Sequence, residues 1–298
     1  MTPTDSSAEK ISRRTLLGRT ARAAAFAAAA SRLEPLLAAP KSRWFKIGAC
    51  DWNLGKMSDP AAFDVAKEIG LDGVQVSLGT QANDMHLRKP EIQQAYREAM
   101  KRTGLEIGSL AIGECNRVPL KSDPRAAKWL ADSIDVCKAL GLTLVMPACF
   151  AAGDLDMAKT GEIDHLVKVL KDCCAKAEKQ GIVIGLESYL SAEDNMKIIE
   201  RVGSPAMKVY YDVGNSTDKG RDIDKEIRML GKLICEFHAK DGRHMLGQGR
   251  IDFKRVRKAI DAIGYDGWFH IEAAAPHGLV KDYRAHYQYL RTCFPERG

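Results

Sequence analysis

Four short segments each end an apolar run in a residue able to hold a cation: Gly185-Leu186-Glu187, Tyr210-Tyr211-Asp212, Phe237-His238 and His270-Ile271-Glu272. Together, the three carboxylates and one imidazole make an oxygen-rich, strongly anionic donor set. With nothing between them they would repel one another, so a hard divalent cation such as Mn²⁺, Mg²⁺ or Co²⁺ is the filling that suits them. A structural zinc site would want thiolates in a closed tetrahedron. Taken singly, each residue has a plainer reading, since an Asp after a strand caps the next helix and a lone His packs in a core. Four on consecutive runs are not explained by capping. The eight cysteines offer no competing centre: they contain no CxxC and no metal-ligand spacing. Cys50, Cys149 and Cys235 lie in strand-like runs and Cys137, Cys173 and Cys174 in helical ones, which predicts buried free thiols.

Ligands so far apart in sequence meet only if the runs that carry them are neighbouring strands. From Trp44 onward, β-rich runs alternate with amphipathic helical patterns. The strands are predicted at Phe45–Cys50, Gly73–Leu78, Leu105–Ala111, Thr143–Ala148, Ile182–Glu187, Lys208–Val213, Leu233–His238 and Trp268–Ala273. Between them, Ile163, Leu166, Val167, Leu170 and Cys174 recur with the helical period, as do Phe253, Val256, Ile260 and Ile263. Gly70, Gly104, Gly141, Gly181, Gly203 and Gly264 follow helical stretches, where a left-handed cap is expected. Eight strand–helix units over about 250 residues predict an α/β fold, a (β/α)8 TIM barrel in a single domain spanning residues 41–298. A doubly wound open sheet fits less well, because no GxGxxG follows the first strand.

Residues 1–40 read differently. Ser12-Arg13-Arg14-Thr15-Leu16-Leu17 precedes an Ala-rich stretch from Ala21 to Ala30 and small residues at Ala38-Ala39. This order resembles a Tat-type signal peptide, which implies export of the folded protein to the periplasm or another extracytoplasmic space. The stretch is too short and too charged for an ordinary spanning helix, so no stable membrane insertion is expected after cleavage. Of the formal charge of +6, half comes from the leader, where six basic residues face three acidic ones. What remains is too weak and too scattered to suggest a nucleic-acid partner.

The whole of residues 44–295 resembles the sugar phosphate isomerase/epimerase superfamily, the xylose isomerase-like TIM barrels. The resemblance is carried by Gly185-Leu186-Glu187, Tyr211-Asp212-Val213-Gly214-Asn215, His238-Ala239-Lys240-Asp241, Leu246 to Phe253, and Gly264-Tyr265-Asp266-Gly267-Trp268 with Ile271-Glu272. It implies a Mn²⁺-like ion held by Glu187, Asp212, His238 and Glu272, with Glu187 and Glu272 also exchanging the substrate's proton. The chemistry agrees. A cation chelated by a sugar carbonyl and the adjacent hydroxyl stabilises the enediolate left when a C–H proton is removed. A carboxylate on each side of the sugar supplies base and acid.

The chain departs from the ketose 3-epimerase branch at two substrate-contacting positions. Asn215 stands where those relatives have His, and His244, preceded by Arg243, stands where they have Arg. Further contacts to a carbohydrate are expected from Trp52, from His86 in the polar loop after strand two, and from Glu114 and Asn116 after strand three. The reading is therefore an isomerase or epimerase of a small, unphosphorylated sugar or sugar derivative. A lyase or hydratase of keto-sugars or keto-glycosides would use the same proton abstraction, and a catalytically dead sugar-binding barrel is a third reading. A DNA-repair endonuclease on this barrel needs a histidine-rich metal cluster, and the chain has only seven histidines. The sequence leaves open whether the barrel forms a homo-oligomer.

Overall fold

The glycines expected to stop helices do so: Gly70, Gly104, Gly141, Gly181, Gly203 and Gly264 all take left-handed backbone, with φ between 68° and 95°. The computed structural model describes residues 45–295, and the expected signal peptide over residues 1–40 lies outside them. The helices ended by these glycines are α1 (Ala62–Ile69), α2 (Pro90–Thr103), α3 (Pro124–Leu140), α4 (Thr160–Gln180), α5 (Ala192–Val202) and α8 (Phe253–Ile263). Between α5 and α8 lie the short α6 (Val213–Asp218) and α7 (Ile223–Leu230), and α9 (Leu279–Cys293) follows. Their starts are equally local. Ser191, Asp222 and Asp252 each accept a backbone N–H of the following turn, as does Asp123, with Pro124 first in its helix.

The strands are β1 (Lys46–Cys50), β2 (Gly73–Ser77), β3 (Glu106–Ile112), β4 (Leu144–Cys149), β5 (Val183–Ser188), β6 (Met207–Asp212), β7 (Ile234–Ala239) and β8 (Trp268–Ile271). All pair in parallel, in chain order, and β8 returns to β1 to close the barrel. Strands β3, β4, β5 and β7 run one residue past their expected ends, because the neighbouring ladder continues: Cys149 still pairs with Ser188, and Ala239 with Ile271. Strand β8 stops short instead, leaving Glu272 at the first loop residue, where its N–H still bonds the Ala239 carbonyl.

Alternation along the strands divides the core in two. Outward residues such as Ile47, Val74, Val76, Phe237 and Phe269 pack against the helices in one large cluster that includes the buried stripe of α4, Ile163, Leu166, Val167 and Leu170. Each fully buried side chain of this size contributes about 1.5–3 kcal/mol. Inward residues form a small apolar cluster of Ala111, Leu144, Met146, Ala148 and Tyr210. Beside Trp268, stacked on His270, much of the remaining interior is polar, and the site sits on this polar part. All eight cysteines are free, seven of them buried and Cys235 partly so, as expected. No helix among the described residues is long and apolar enough to cross a membrane.

Candidate active site

Strands β5, β6 and β7 and the residue after β8 bring Glu187, Asp212, His238 and Glu272 to the C-terminal rim. One ligand atom from each lies within 4.8 Å of all the others. Closure makes this unavoidable. Asp212 pairs with His238 across β6 and β7, and His270, two residues before Glu272, pairs with His238 across β7 and β8. His238 Nδ1 stands 2.8 Å from Glu187 Oε1 and 3.8 Å from Glu272 Oε2.

Asp212 divides its carboxylate between two tasks. Its Oδ1 caps α6, accepting the N–H groups of Gly214 at 2.7 Å and Asn215 at 3.0 Å. Its Oδ2 is buried and has no hydrogen-bond partner among the described residues. Lys240 Nζ lies 3.9 Å from this oxygen, beyond hydrogen-bond reach, and a buried carboxylate oxygen that faces two further carboxylates and an imidazole fits a hard divalent cation.

The charges agree with this. Burial, helped by neighbouring Glu272, pushes the Asp212 carboxyl up to about 7. Burial acts on Glu272 in the same direction but is outweighed. His238, Lys240 at 3.0 Å and the Trp52 N–H at 3.1 Å hold its carboxyl below the ordinary range. Burial would lower the His238 imidazole, yet Cys50 and Glu187 raise it well above the ordinary value. The Cys50 thiol is itself pushed up to about 12 by burial, so it stands neutral and the effective pull comes from Glu187.

Glu187 and Glu272 open onto a cavity of about 260 Å³ walled by Trp52, Met57, Glu114, Asn116, Met146 and Phe150, among others. Trp52 and Glu114, expected at the substrate, are both in this wall. Glu114 is occupied by Gln81 at 3.1 Å and Arg117 at 3.3 Å, and Asn116 Oδ1 accepts the Phe150 N–H at 2.8 Å. Arg243 and His244 lie apart from it, in a neighbouring cavity of about 310 Å³ shared with Asp218, Asp241 and Arg250. Asn215 and His86 line neither cavity. The N–H of Asn215 is bound to Asp212, and the His86 ring bonds the Ser58 carbonyl at 2.9 Å, bracing the loop after β2.

Three residues near the ligands had no role assigned from sequence. Lys240 bonds Glu272, the Gln75 amide oxygen lies 2.7 Å from His238 Nε2, and the Cys50 sulfur lies 3.4 Å from the same nitrogen. The signal for Gln75 was available: it is a lone polar residue amid Gly73-Val74-Gln75-Val76, too polar for a strand interior without a partner.

The chain is 26% identical over 225 residues to a 2-epi-5-epi-valiolone 7-phosphate 2-epimerase of Actinoplanes sp., covering 72% of this chain and 82% of that protein. It is likewise 26% identical over 254 residues to a putative L-ribulose-5-phosphate 3-epimerase of Escherichia coli, covering 76% and 88% respectively. Its fold is similar to that of a D-allulose 3-epimerase from Methylomonas sp. solved with D-allulose, at a TM-score of 0.70 and 17% identity over 86% of this chain and 99% of that one. The family model described as xylose isomerase-like TIM barrel matches residues 63–293. The chain, with its closed eight-stranded barrel, belongs to that family.

Proposed function

We propose that this protein is a divalent-metal-dependent isomerase or epimerase of an unphosphorylated sugar or sugar derivative, exported by its twin-arginine leader. The observation that carries the reading is the pair Glu187 and Glu272, which open onto one cavity while Asp212 and His238 stand within ligand distance of both. The four residues would hold the ion, and we take Mn²⁺ as its identity, with Mg²⁺ or Co²⁺ suited to the same donors. When bound, such a cation stabilises negative charge on two neighbouring sugar oxygens.

The proton chemistry belongs to the chain. Glu272, kept ionised by Lys240 and steadied by the Trp52 N–H, is a base ready to take a proton from the carbon beside the sugar carbonyl. Glu187 is the partner that returns one. Return to the opposite face of the same carbon gives an epimer, whereas return to the neighbouring carbon moves the carbonyl. Trp52 and Glu114 are the wall residues we expect against the sugar, with Arg243 and His244 reached only by a longer substrate.

Both curated relatives are named as epimerases, which supports the reaction class. Both names also carry a phosphate, and here we propose that this protein differs. Among the described residues Arg117 is the one Lys or Arg lining the cavity wall, and it already pairs with Glu114. In the neighbouring cavity Arg250 pairs with Asp218. Export points the same way, because phosphorylated sugars are kept in the cytoplasm. The test compares kcat/KM for matched keto-sugars with and without a terminal phosphate. The unphosphorylated member should be turned over. A preference above about tenfold for the phosphorylated one, worth about 1.4 kcal/mol, would overturn this part.

A further inference from the structure

Barrels of this kind fill their interior with layers of branched apolar side chains. Here the layer beneath the candidate ligands is polar instead. Gln75, Ser109 and Glu236 point inward from β2, β3 and β7, each buried to 5% exposure or less. A local irregularity turns Ser109 inward. The β2–β3 register slips between Val74, which pairs with Ile107, and Val76, which pairs with Leu110, so Gly108 and Ser109 together face Gln75.

We infer that Gln75, oriented by Ser109 and Glu236, is a positioning residue that decides which nitrogen of His238 carries the hydrogen and so frees Nδ1 for the cation. This rests on the reading of Glu187, Asp212, His238 and Glu272 as the ligands of an ion.

The direction of each hydrogen bond fixes which way the Gln75 amide faces. Ser109 Oγ donates its single proton to Glu236 Oε2 at 2.6 Å, which leaves the hydroxyl oxygen to accept. It accepts from the Gln75 Nε2 amide at 3.1 Å. With its NH₂ turned to Ser109, Gln75 presents Oε1 to His238 Nε2 at 2.7 Å and to the Cys50 thiol at 3.3 Å. An amide oxygen only accepts, so Nε2 must be the N–H nitrogen. The reversed amide would set its carbonyl against a hydroxyl oxygen whose one proton is already given to Glu236. That mismatch would be buried, where unpaired polar groups are costly. The only nitrogen facing the carboxylates is then Nδ1, beside Glu187 and Glu272. In the absence of an ion Nδ1 donates to Glu187, and an ion takes the place of that hydrogen while Gln75 keeps the other.

The experiment titrates Mn²⁺ into metal-free protein by calorimetry, and melts each metal-free variant to check its fold. Wild type should bind one Mn²⁺. Gln75→Leu keeps similar volume but offers no acceptor, and should bind about 10–100-fold more weakly at an unchanged metal-free melting temperature. Gln75→Glu, whose carboxylate accepts the same hydrogen, should recover most of the affinity. Ser109→Ala, which leaves the amide free to turn over, should weaken binding in the same direction and serves if Gln75→Leu does not fold. Nitrogen-15 NMR of the Mg²⁺-saturated wild type should find the His238 proton on Nε2. Three results would each overturn the inference while leaving the ligand set intact: unchanged Mn²⁺ affinity in folded Gln75→Leu or Ser109→Ala, equal losses in Gln75→Leu and Gln75→Glu, or the proton on Nδ1. Failure of wild type to bind Mn²⁺ would overturn the ligand set, and this inference with it.

Discussion

Trp52 shows how one side chain can be read two ways. Its ring lies edge-on to His238, with centroids 6.0 Å apart, and its indole N–H donates to Glu272 at 3.1 Å. An aromatic wall for a sugar needs only the ring, whereas a base held in position needs the N–H. Hydrogen bonds to charged groups contribute about 1.5–3 kcal/mol. Trp52→Phe, which keeps an aromatic face and removes the donor, should therefore lower kcat/KM by about 10–100-fold, read by steady-state kinetics. An unchanged value would mean that the ring alone matters. Asp212 carries a similar lesson about what a sequence reveals. Helix cap and cation ligand are alternatives when only the residue type is known, yet in three dimensions Oδ1 caps α6 and Oδ2 is left without a hydrogen bond. The four ligand candidates were legible because each ends an apolar run. Gln75 was legible only as a polar strand residue in need of a partner, and Lys240 not at all, since a role that consists of holding another side chain depends on distances that no spacing encodes.

At the scale of elements, the loop after β7 is fixed by a buried polar side chain as well as by the apolar packing of Leu246 and Ile251. Asp241 accepts the N–H groups of Gly247, Gly249, Arg250 and Ile251 at 2.9–3.2 Å, folding the loop after β7 around a single carboxylate. A Cβ on Gly249 would collide with that carboxylate, which four backbone N–H groups hold in place, so the glycine here is required by close approach. Asp241→Ala strands four buried or half-buried donors at once and should cost about 2–4 kcal/mol in urea unfolding. A loss below about 0.5 kcal/mol would show that the loop holds without it. His286 ties this loop to the next: its Nδ1 accepts the Leu246 N–H at 3.3 Å, while its Nε2 bonds the Ala274 carbonyl at 2.9 Å. The Nδ1 contact needs the neutral ring, whereas Nε2–H donates to Ala274 in either charge state. Burial lowers its folded pKa below the usual 6.5, against smaller opposing effects of Ala274 and Asp282. The unfolded chain thus binds a proton more readily, so this contribution is fully present above 6.5 and is lost as pH falls from there through the lowered folded value. Unfolding midpoints measured from pH 8 to about pH 5 should fall more steeply in wild type than in His286→Gln. Parallel curves would remove His286 as the cause. Strands, helices and glycine caps of this layer were readable from periodicity and punctuation. The bracing role of His86 was not, because a polar loop looks the same in sequence whether it faces a ligand or the Ser58 carbonyl.

At the scale of the molecule, the fold stores repulsion where it does its chemistry. Three carboxylates lie within 4.8 Å of one another, and Lys240, 3.0 Å from Glu272 and 3.9 Å from Asp212, offsets part of a repulsion that a bound cation would relieve further. Binding only to the folded state stabilises by mass action, about 2.7 kcal/mol at a hundred times the dissociation constant. For a domain of this size that is about 5–10 °C of melting temperature. Stripping the metal with a chelator should lower the melting point by that amount, and Mn²⁺ should restore it. No change would argue that the site folds empty. Beyond the barrel, the leader is expected to act through its arginine pair, and Arg13→Lys with Arg14→Lys should leave the protein in the cytoplasmic fraction where wild type is exported. An unchanged distribution would set the twin-arginine reading aside. The claim on which the whole account turns is that Glu187 and Glu272 move the substrate's proton as well as standing in the ligand set. It is tested by incubating Mn²⁺-loaded protein with a keto-sugar substrate in D₂O and following deuterium at the carbon beside the carbonyl. Wild type should incorporate solvent deuterium during turnover, and Glu187→Gln and Glu272→Gln, still folded, should each lose about 10²–10⁴-fold in that rate. Exchange at the wild-type rate in both variants would contradict the account.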